Sequence, residues 1–178
     1  NDLLNDNEDL ILRAAGIRVC VAPDSPEPAK PDAVFPNNWV SFHADGTVVL
    51  YPMHSPLRRA ERREAVIDRV KQELGFVESR RIDLTAHEHE GRFLEGTGSL
   101  VLDRQARIAY ACRSPRTDES LVHDWAQHMG YEPFVFDAAT GDGTPVYHTN
   151  VLLWIGANIA GLGVDWVAPR QRDALLER

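Results

Sequence analysis

Trp39-Val40-Ser41-Phe42-His43-Ala44-Asp45-Gly46-Thr47-Val48-Val49-Leu50-Tyr51 sets two apolar runs on either side of an Asp-Gly pair. Asp-Gly accommodates the positive φ angles of a tight hairpin turn, so the stretch predicts strands over Trp39–Phe42 and Thr47–Tyr51. Downstream, Arg58–Leu74 has the charged, amphipathic spacing of a helix and stops at Gly75. The same order then returns. Ser99–Leu102 and Ile108–Ala111 read as a hairpin, Asp118–Met129 as a helix stopped by Gly130, and Glu132–Phe136 as a strand. A third copy begins with Val151–Ile155 and Ile159–Val164, the latter weakened by Gly161 and Gly163, and Pro169 opens a last helix. The hairpins recur every roughly 50–60 residues, a period typical of arrays built from one supersecondary unit. The expected fold class is α/β, with hairpin-helix-strand modules repeated in a single domain over residues 1–178.

Upstream of the first hairpin, Leu3–Ala15 has helical spacing, Gly16 stops it, and Ile17–Ala22 reads as a buried strand. Pro23–Pro36 carries five prolines and is expected to be a loop. The series opens on a helix and strand without a hairpin and closes on a hairpin and helix without a strand. Both ends are therefore expected to lack partner elements of a ring, and the open edges of such a ring would favour a homo-oligomer.

With 43% hydrophobic and 26% charged residues, the chain can build a real core. A net charge of −8 without a basic cluster argues against nucleic acid or an anionic membrane as partner, since phosphate binding needs concentrated positive charge. No apolar run reaches the ~18 residues of a membrane span, and Asn1–Leu12 lacks the features of a signal peptide, so a cytoplasmic location is expected. The two cysteines, Cys20 and Cys112, lie far apart in apolar runs and suggest neither a disulfide framework nor a zinc site.

Asn38, Glu95 and His148 each stand just before the first strand of a hairpin, at equivalent places in three successive modules. In a radial repeat equivalent positions face a common axis, so an amide, a carboxylate and an imidazole are expected to converge on one site. Glu95 sits in Phe93-Leu94-Glu95-Gly96-Thr97-Gly98-Ser99, whose glycines permit close backbone approach but lack the spacing of a phosphate loop, and a strand is expected to follow. Taken alone, this stretch is equally a glycine-rich turn capped by Glu95. His148 precedes an apolar strand, where an imidazole next to a carboxylate suits acid/base work and a core histidine is the bland alternative. No histidine or cysteine lies at ligand spacing from it, so no metal is expected, and His87 and His89 fall in an acidic loop assigned to solvent.

Together with Pro31-Asp32-Ala33-Val34-Phe35-Pro36-Asn37-Asn38-Trp39, the segment around Glu95 and Tyr147-His148-Thr149-Asn150-Val151 resemble signature stretches of the guanidino-group-modifying superfamily of arginine deiminases and amidinotransferases. The resemblance runs from about Gly16 onward and is closest to the citrulline-utilisation hydrolase branch. It implies a pentein fold, an α/β propeller of five modules with its site on the axis, of which about three fall in this chain. In that superfamily a cysteine attacks the guanidinium or ureido carbon, a histidine protonates the leaving amine and activates water, and carboxylates hold the substrate nitrogens. The resemblance therefore implies catalytic roles for His148 and Glu95, and substrate-binding roles for Asn38, Asn150, Phe35 and Asn37, with no cofactor.

Asn38 and Asn150 stand where deiminases carry aspartates. Both departures remove negative charge, so a neutral ureido group is expected to fit better than a guanidinium cation, and the expected partner is a small citrulline- or arginine-like molecule. The superfamily's nucleophilic cysteine lies in a glycine-rich segment near the C-terminus that does not occur here, and Cys20 and Cys112 do not match it. Two readings follow: a stretch of a longer hydrolase, favoured because the modules end mid-unit, and a non-catalytic small-molecule-binding fragment.

Overall fold

The computed structural model describes residues 9–25 and 27–178. Strands β1 (Val40–Phe42) and β2 (Thr47–Leu50) form the first hairpin, with Val40 opposite Leu50 and Phe42 opposite Val48. Its turn is held by Asp45, whose Oδ1 accepts the Thr47 N–H at 2.9 Å, and by Gly46 at φ +81°. β3 (Arg80–Asp83) then joins β2 in parallel, giving the order β1-β2-β3. The second unit repeats the pattern with β4 (Val101–Asp103), β5 (Ile108–Cys112) and β6 (Glu132–Phe136). The third sheet has two strands, β7 (Leu153–Ile155) and β8 (Ala160–Leu162).

Besides the helical residues 9–14, the described residues form the helices α1 (Pro56–Arg59), α2 (Glu64–Leu74), α3 (Gly96–Ser99), α4 (Glu119–Met129) and α5 (Pro169–Leu176). α4 begins with Asp118 accepting the Leu121 N–H at 3.2 Å, and α2 and α4 both end on glycines in the left-handed region, Gly75 and Gly130. None of the described helices is long and apolar enough to cross a membrane.

Alternation along the central strands explains the layering. On β2, Val48 packs with Trp39, Val40, Met53 and Ile67 of α2, while Val49 faces α4. On β5, Ala109 and Ala111 face α4, whereas Ile108, Tyr110 and Cys112 face Phe136, Leu152, Leu153 and Leu175. Strands buried on both faces read as continuous apolar runs, which is why these hairpins are conspicuous in the sequence. Trp125 of α4 sits at the centre of the middle layer, fully buried, and its indole N–H donates to the Tyr51 hydroxyl at 3.0 Å. That hydroxyl also meets Ser41 Oγ at 2.7 Å, and burial pushes its pKa up to about 12.

The α/β class and the repeat of hairpin, helix and strand are as expected; several boundaries are not. The single helix expected over Arg58–Leu74 is two, because Ala60–Arg63 break it and Arg63 adopts extended angles as the cap of α2. Residues 17–22 form no strand, and Cys20 is partly exposed rather than buried. Of the Leu3–Ala15 helix, residues 9–14 are helical and 1–8 lie outside the described residues. The strand expected at Ser99 starts at Val101, since Gly96–Ser99 is a helical turn, and Thr149–Val151 forms a 3-10 turn before β7. β3 was not anticipated, because only Ile82 of Arg-Arg-Ile-Asp is buried.

Trp125→Ala removes the largest side chain of the middle layer and is expected to lower stability by about 3–5 kcal/mol. Trp125→Phe loses the hydrogen bond and part of the ring and should cost less, a ranking read from urea midpoints at constant slope.

Candidate active site

The site is built where the entries to the three hairpins meet. Leu94 leads into Glu95, the cap of α3, and Gly96 follows at φ +46°. A Cβ at Gly96 would collide with the Asn37 carbonyl oxygen, so this left-handed turn tolerates only glycine. The Glu95 N–H is taken by Ser99 Oγ at 3.0 Å and the Arg116 carbonyl at 3.3 Å. Thr149 then bonds from the third module: its hydroxyl donates to the Ser99 carbonyl at 2.6 Å and accepts the Cys112 N–H at 2.8 Å. From the first module the Asn38 amide donates to the Glu95 carbonyl at 3.4 Å.

These contacts carry the Glu95 side chain, which is fully buried, onto His148, which is 6% exposed. His148 Nε2 lies 2.7 Å from Glu95 Oε2. The other carboxylate oxygen accepts the His54 N–H at 3.0 Å, and Arg116 Nη1 stands 3.4 Å from Oε2. Burial pushes the Glu95 carboxyl up, but the His148 and His54 hydrogen bonds and the charges of His148 and Arg116 outweigh it, leaving the pKa below the usual glutamate range. Gly98 lets the groups meet: a Cβ there would overlap Asn38 Nδ2 and come within 2.8 Å of His148 Nδ1.

Asn38, Glu95 and His148 are thus brought together. The other expected residues stand further out. Asn37 turns its carbonyl to Gly96, the Phe35 ring is exposed while its carbonyl accepts Arg58 Nη2 at 3.3 Å, and Asn150 is exposed with no side-chain hydrogen bond to Glu95 or His148. Cys112 is buried, its thiol pKa raised by burial, with Sγ against Thr149 and the Val146 carbonyl. Cys20 is also pushed up, by burial and by Glu73. Neither thiol makes a hydrogen bond to the dyad. His87 is half-buried and bonded to Glu90 and Arg92 rather than left to solvent.

Sequence reasoning marked Gly98 for close approach but missed Arg116, Thr149 and the buried pair Arg58 and Glu61. Arg116 follows a strand end like many surface arginines, and the role of Thr149 depends on Ser99 and Cys112, far away in the sequence, so nothing local marks them. A cleft of about 1030 Å3 runs along β1, lined by Cys20, Asn37, Ser41, His43, Thr97 and Arg104 among others, but Glu95 and His148 do not line it. The dyad's chemistry, not the size of that cleft, identifies the site. Among the described residues no cluster of three metal-ligating side chains occurs.

The chain matches the model of the family N,N dimethylarginine dimethylhydrolase, eukaryotic, over residues 6–178. No curated protein matches it significantly. Among solved structures it is similar to ArgZ without ligand, an arginine dihydrolase from the ornithine-ammonia cycle in cyanobacteria, at 18% identity and a TM-score of 0.72, covering 97% of this chain and 25% of that one. The substrate-bound N-terminal domain of ArgZ aligns at 20% identity and TM-score 0.66, covering 96% and 58%. A dimethylarginine dimethylaminohydrolase carrying a 4-chloro-2-hydroxymethylpyridine adduct aligns at 17% and 0.63, covering 94% and 63%. The chain thus spans between a quarter and less than two thirds of these structures, and at such identities the likeness is one of fold.

Two outcomes follow from the geometry. Gly98→Ala is expected to separate Asn38 from His148 while the chain stays folded, seen as altered His148 ring shifts by NMR. Ionised Glu95 has a lowered folded-state pKa. Its stabilisation is therefore complete above the ordinary glutamate value of about 4.3 and is lost as pH falls through the lowered value. The difference in urea midpoint between the wild type and Glu95→Gln should be constant near neutrality and shrink on acidification.

Proposed function

Because the chain belongs to the N,N dimethylarginine dimethylhydrolase family, within the arginine deiminase and amidinotransferase superfamily, we propose that it carries the acid/base part of a guanidino- or ureido-group hydrolase. The observation that supports this most is the buried His148 to Glu95 contact at 2.7 Å. In this reading a thiolate attacks the central carbon of the substrate and the C–N bond breaks. The departing amine takes its proton from His148. Water then displaces the sulfur, giving its proton to the imidazole and restoring the thiolate. Glu95 orients the ring and accepts substrate N–H groups, and Asn38 faces the same centre. Phe35, Asn37 and Asn150 would meet the substrate only at the rim. Since neither Cys20 nor Cys112 makes a hydrogen bond to the dyad and burial pushes both thiols up, this reading assigns the nucleophile to a segment outside residues 1–178. The three units then stand around one axis as modules of a five-module pentein propeller.

Arg116, half-exposed over the Tyr147 ring at 5.2 Å, places a guanidinium at the mouth of the site. It can meet the anionic end of an amino-acid substrate while Glu95 remains below it. With Glu95 as the carboxylate beside His148, Glu61 already neutralised by Arg58, and an amide at position 38, a citrulline-like ureido compound fits better than a guanidinium. A second reading, binding without turnover, is favoured by the absence of a thiol beside the dyad.

The test is calorimetric titration with L-citrulline, L-arginine and N,N-dimethyl-L-arginine, together with assays for released ammonia and dimethylamine, carried out on the chain joined to the segment that supplies the thiol. Citrulline should bind most tightly. Glu95→Gln should weaken binding at least about tenfold through loss of a charge-assisted hydrogen bond. His148→Ala should retain binding and lose turnover. Equal or better use of arginine sinks the ureido preference, and binding without any release supports the scaffold reading.

A further inference from the structure

The run Leu57-Arg58-Arg59-Ala60-Glu61-Arg62-Arg63 reads in sequence as the charged face of a helix, yet Arg58 and Glu61 are 5% and 3% exposed. A buried charge needs partners, and Arg58 has them: Nε and Nη2 meet the two Glu61 carboxylate oxygens at 2.9 and 3.0 Å, and Nη2 also reaches the carbonyls of Asp32 and Phe35. Nη1 donates to Asn38 Oδ1 at 2.9 Å. Arg58 can only donate, and the Glu95 carbonyl, on the other side of the same amide, can only accept. The two neighbours therefore fix which end of Asn38 is oxygen and which is nitrogen. Nδ2 is the end turned to Gly98 and the His148 ring.

We propose that the Arg58–Glu61 pair is the specificity device of this site: it occupies the Asn38 oxygen so that position 38 shows the substrate only N–H. This rests on the reading of the site as one that takes guanidino or ureido compounds. A ureido oxygen accepts such a donor. A guanidinium offers only N–H groups and meets it donor to donor. Arg58 is a positioning residue that acts through Asn38, and Asn38→Asp, of the same shape, turns the presented atom from donor into acceptor while leaving the other oxygen for Arg58.

Two measurements decide it. In the unliganded protein, nuclear Overhauser contacts should connect the Asn38 side-chain NH2 to the Gly98 α-protons and the His148 ring, and their absence overturns the assignment without reference to any substrate. Calorimetry then gives the ratio of L-citrulline to L-arginine affinity. Asn38→Asp should lower that ratio at least about tenfold, and Arg58→Lys, which keeps a cation for Glu61 but not the fork, should lower it severalfold. Glu61→Gln, which loosens the fork while leaving Arg58 in place, should move the ratio the same way and serves if Arg58→Lys fails to fold. If the wild type binds neither ligand, the functional reading fails and this inference with it. If the wild type discriminates and the ratio is unmoved in the variants, the inference alone is overturned.

Discussion

A fully buried carboxylate is the constraint around which the rest is arranged. Removing an ionised glutamate from water costs several kcal/mol unless its lone pairs are filled by donors. Glu95 receives them from three parts of the chain: the His54 N–H from the segment after the first hairpin, Arg116 after β5, and His148 from the third module. No one of these segments can move without exposing the charge or leaving it unpaired. The site therefore exists only as a consequence of the modules packing together, and ionised Glu95 couples the geometry of the site to the stability of the fold.

The support continues outward through further ion pairs. Glu88 accepts the Met53 N–H at 2.8 Å and is held by Arg62, and Arg59 stands 3.3 Å from it, so the backbone that offers the His54 N–H is itself pinned. Arg58 and Glu61 do the same for the loop from Asp32 to Asn38. Four residues of one short basic-acidic run thus brace the two segments that meet α3. The Arg58–Glu61 pair is buried and Glu88 is nearly so, with Arg59 and Arg62 only partly exposed, and away from full solvent charge-assisted contacts hold geometry better than on an open surface. This accounts for the break between α1 and α2: a continuous helix would keep Arg58, Glu61 and Arg62 on one rod, whereas the interruption lets them face two different loops.

How much of this could be read in advance follows from where the information lies. The hairpins were legible because β2 and β5 are apolar on both faces and their turns carry their own chemistry, as at Asp45-Gly46. The meeting of Asn38, Glu95 and His148 was legible because equivalent places in a repeat suffice to suggest it. β3 was not, since a strand contributing one buried side chain has no periodicity, and its place is set by pairing with β2 across a helix. Ile17–Ala22 failed for the opposite reason: an apolar run with strand composition has no strand to pair with among the described residues and forms none. Gly96–Ser99 looked like a turn into a strand, and became a helical turn because the Glu95 carbonyl accepts the Gly98 and Ser99 N–H groups while Ser99 Oγ accepts that of Glu95.

The arginine-rich run shows why charge patterns mislead at such sites. Exposed arginines and buried ones are spelled alike, and the difference is set by acceptors elsewhere in the chain, here Glu88 and the carbonyls of Asp32 and Phe35. The same holds for Asn38. Its identity as an amide can be read from the sequence, but whether it behaves as donor or acceptor depends on a guanidinium twenty positions later. A residue type thus states which contacts are available, and the packing of its neighbours decides which of them remains for a ligand.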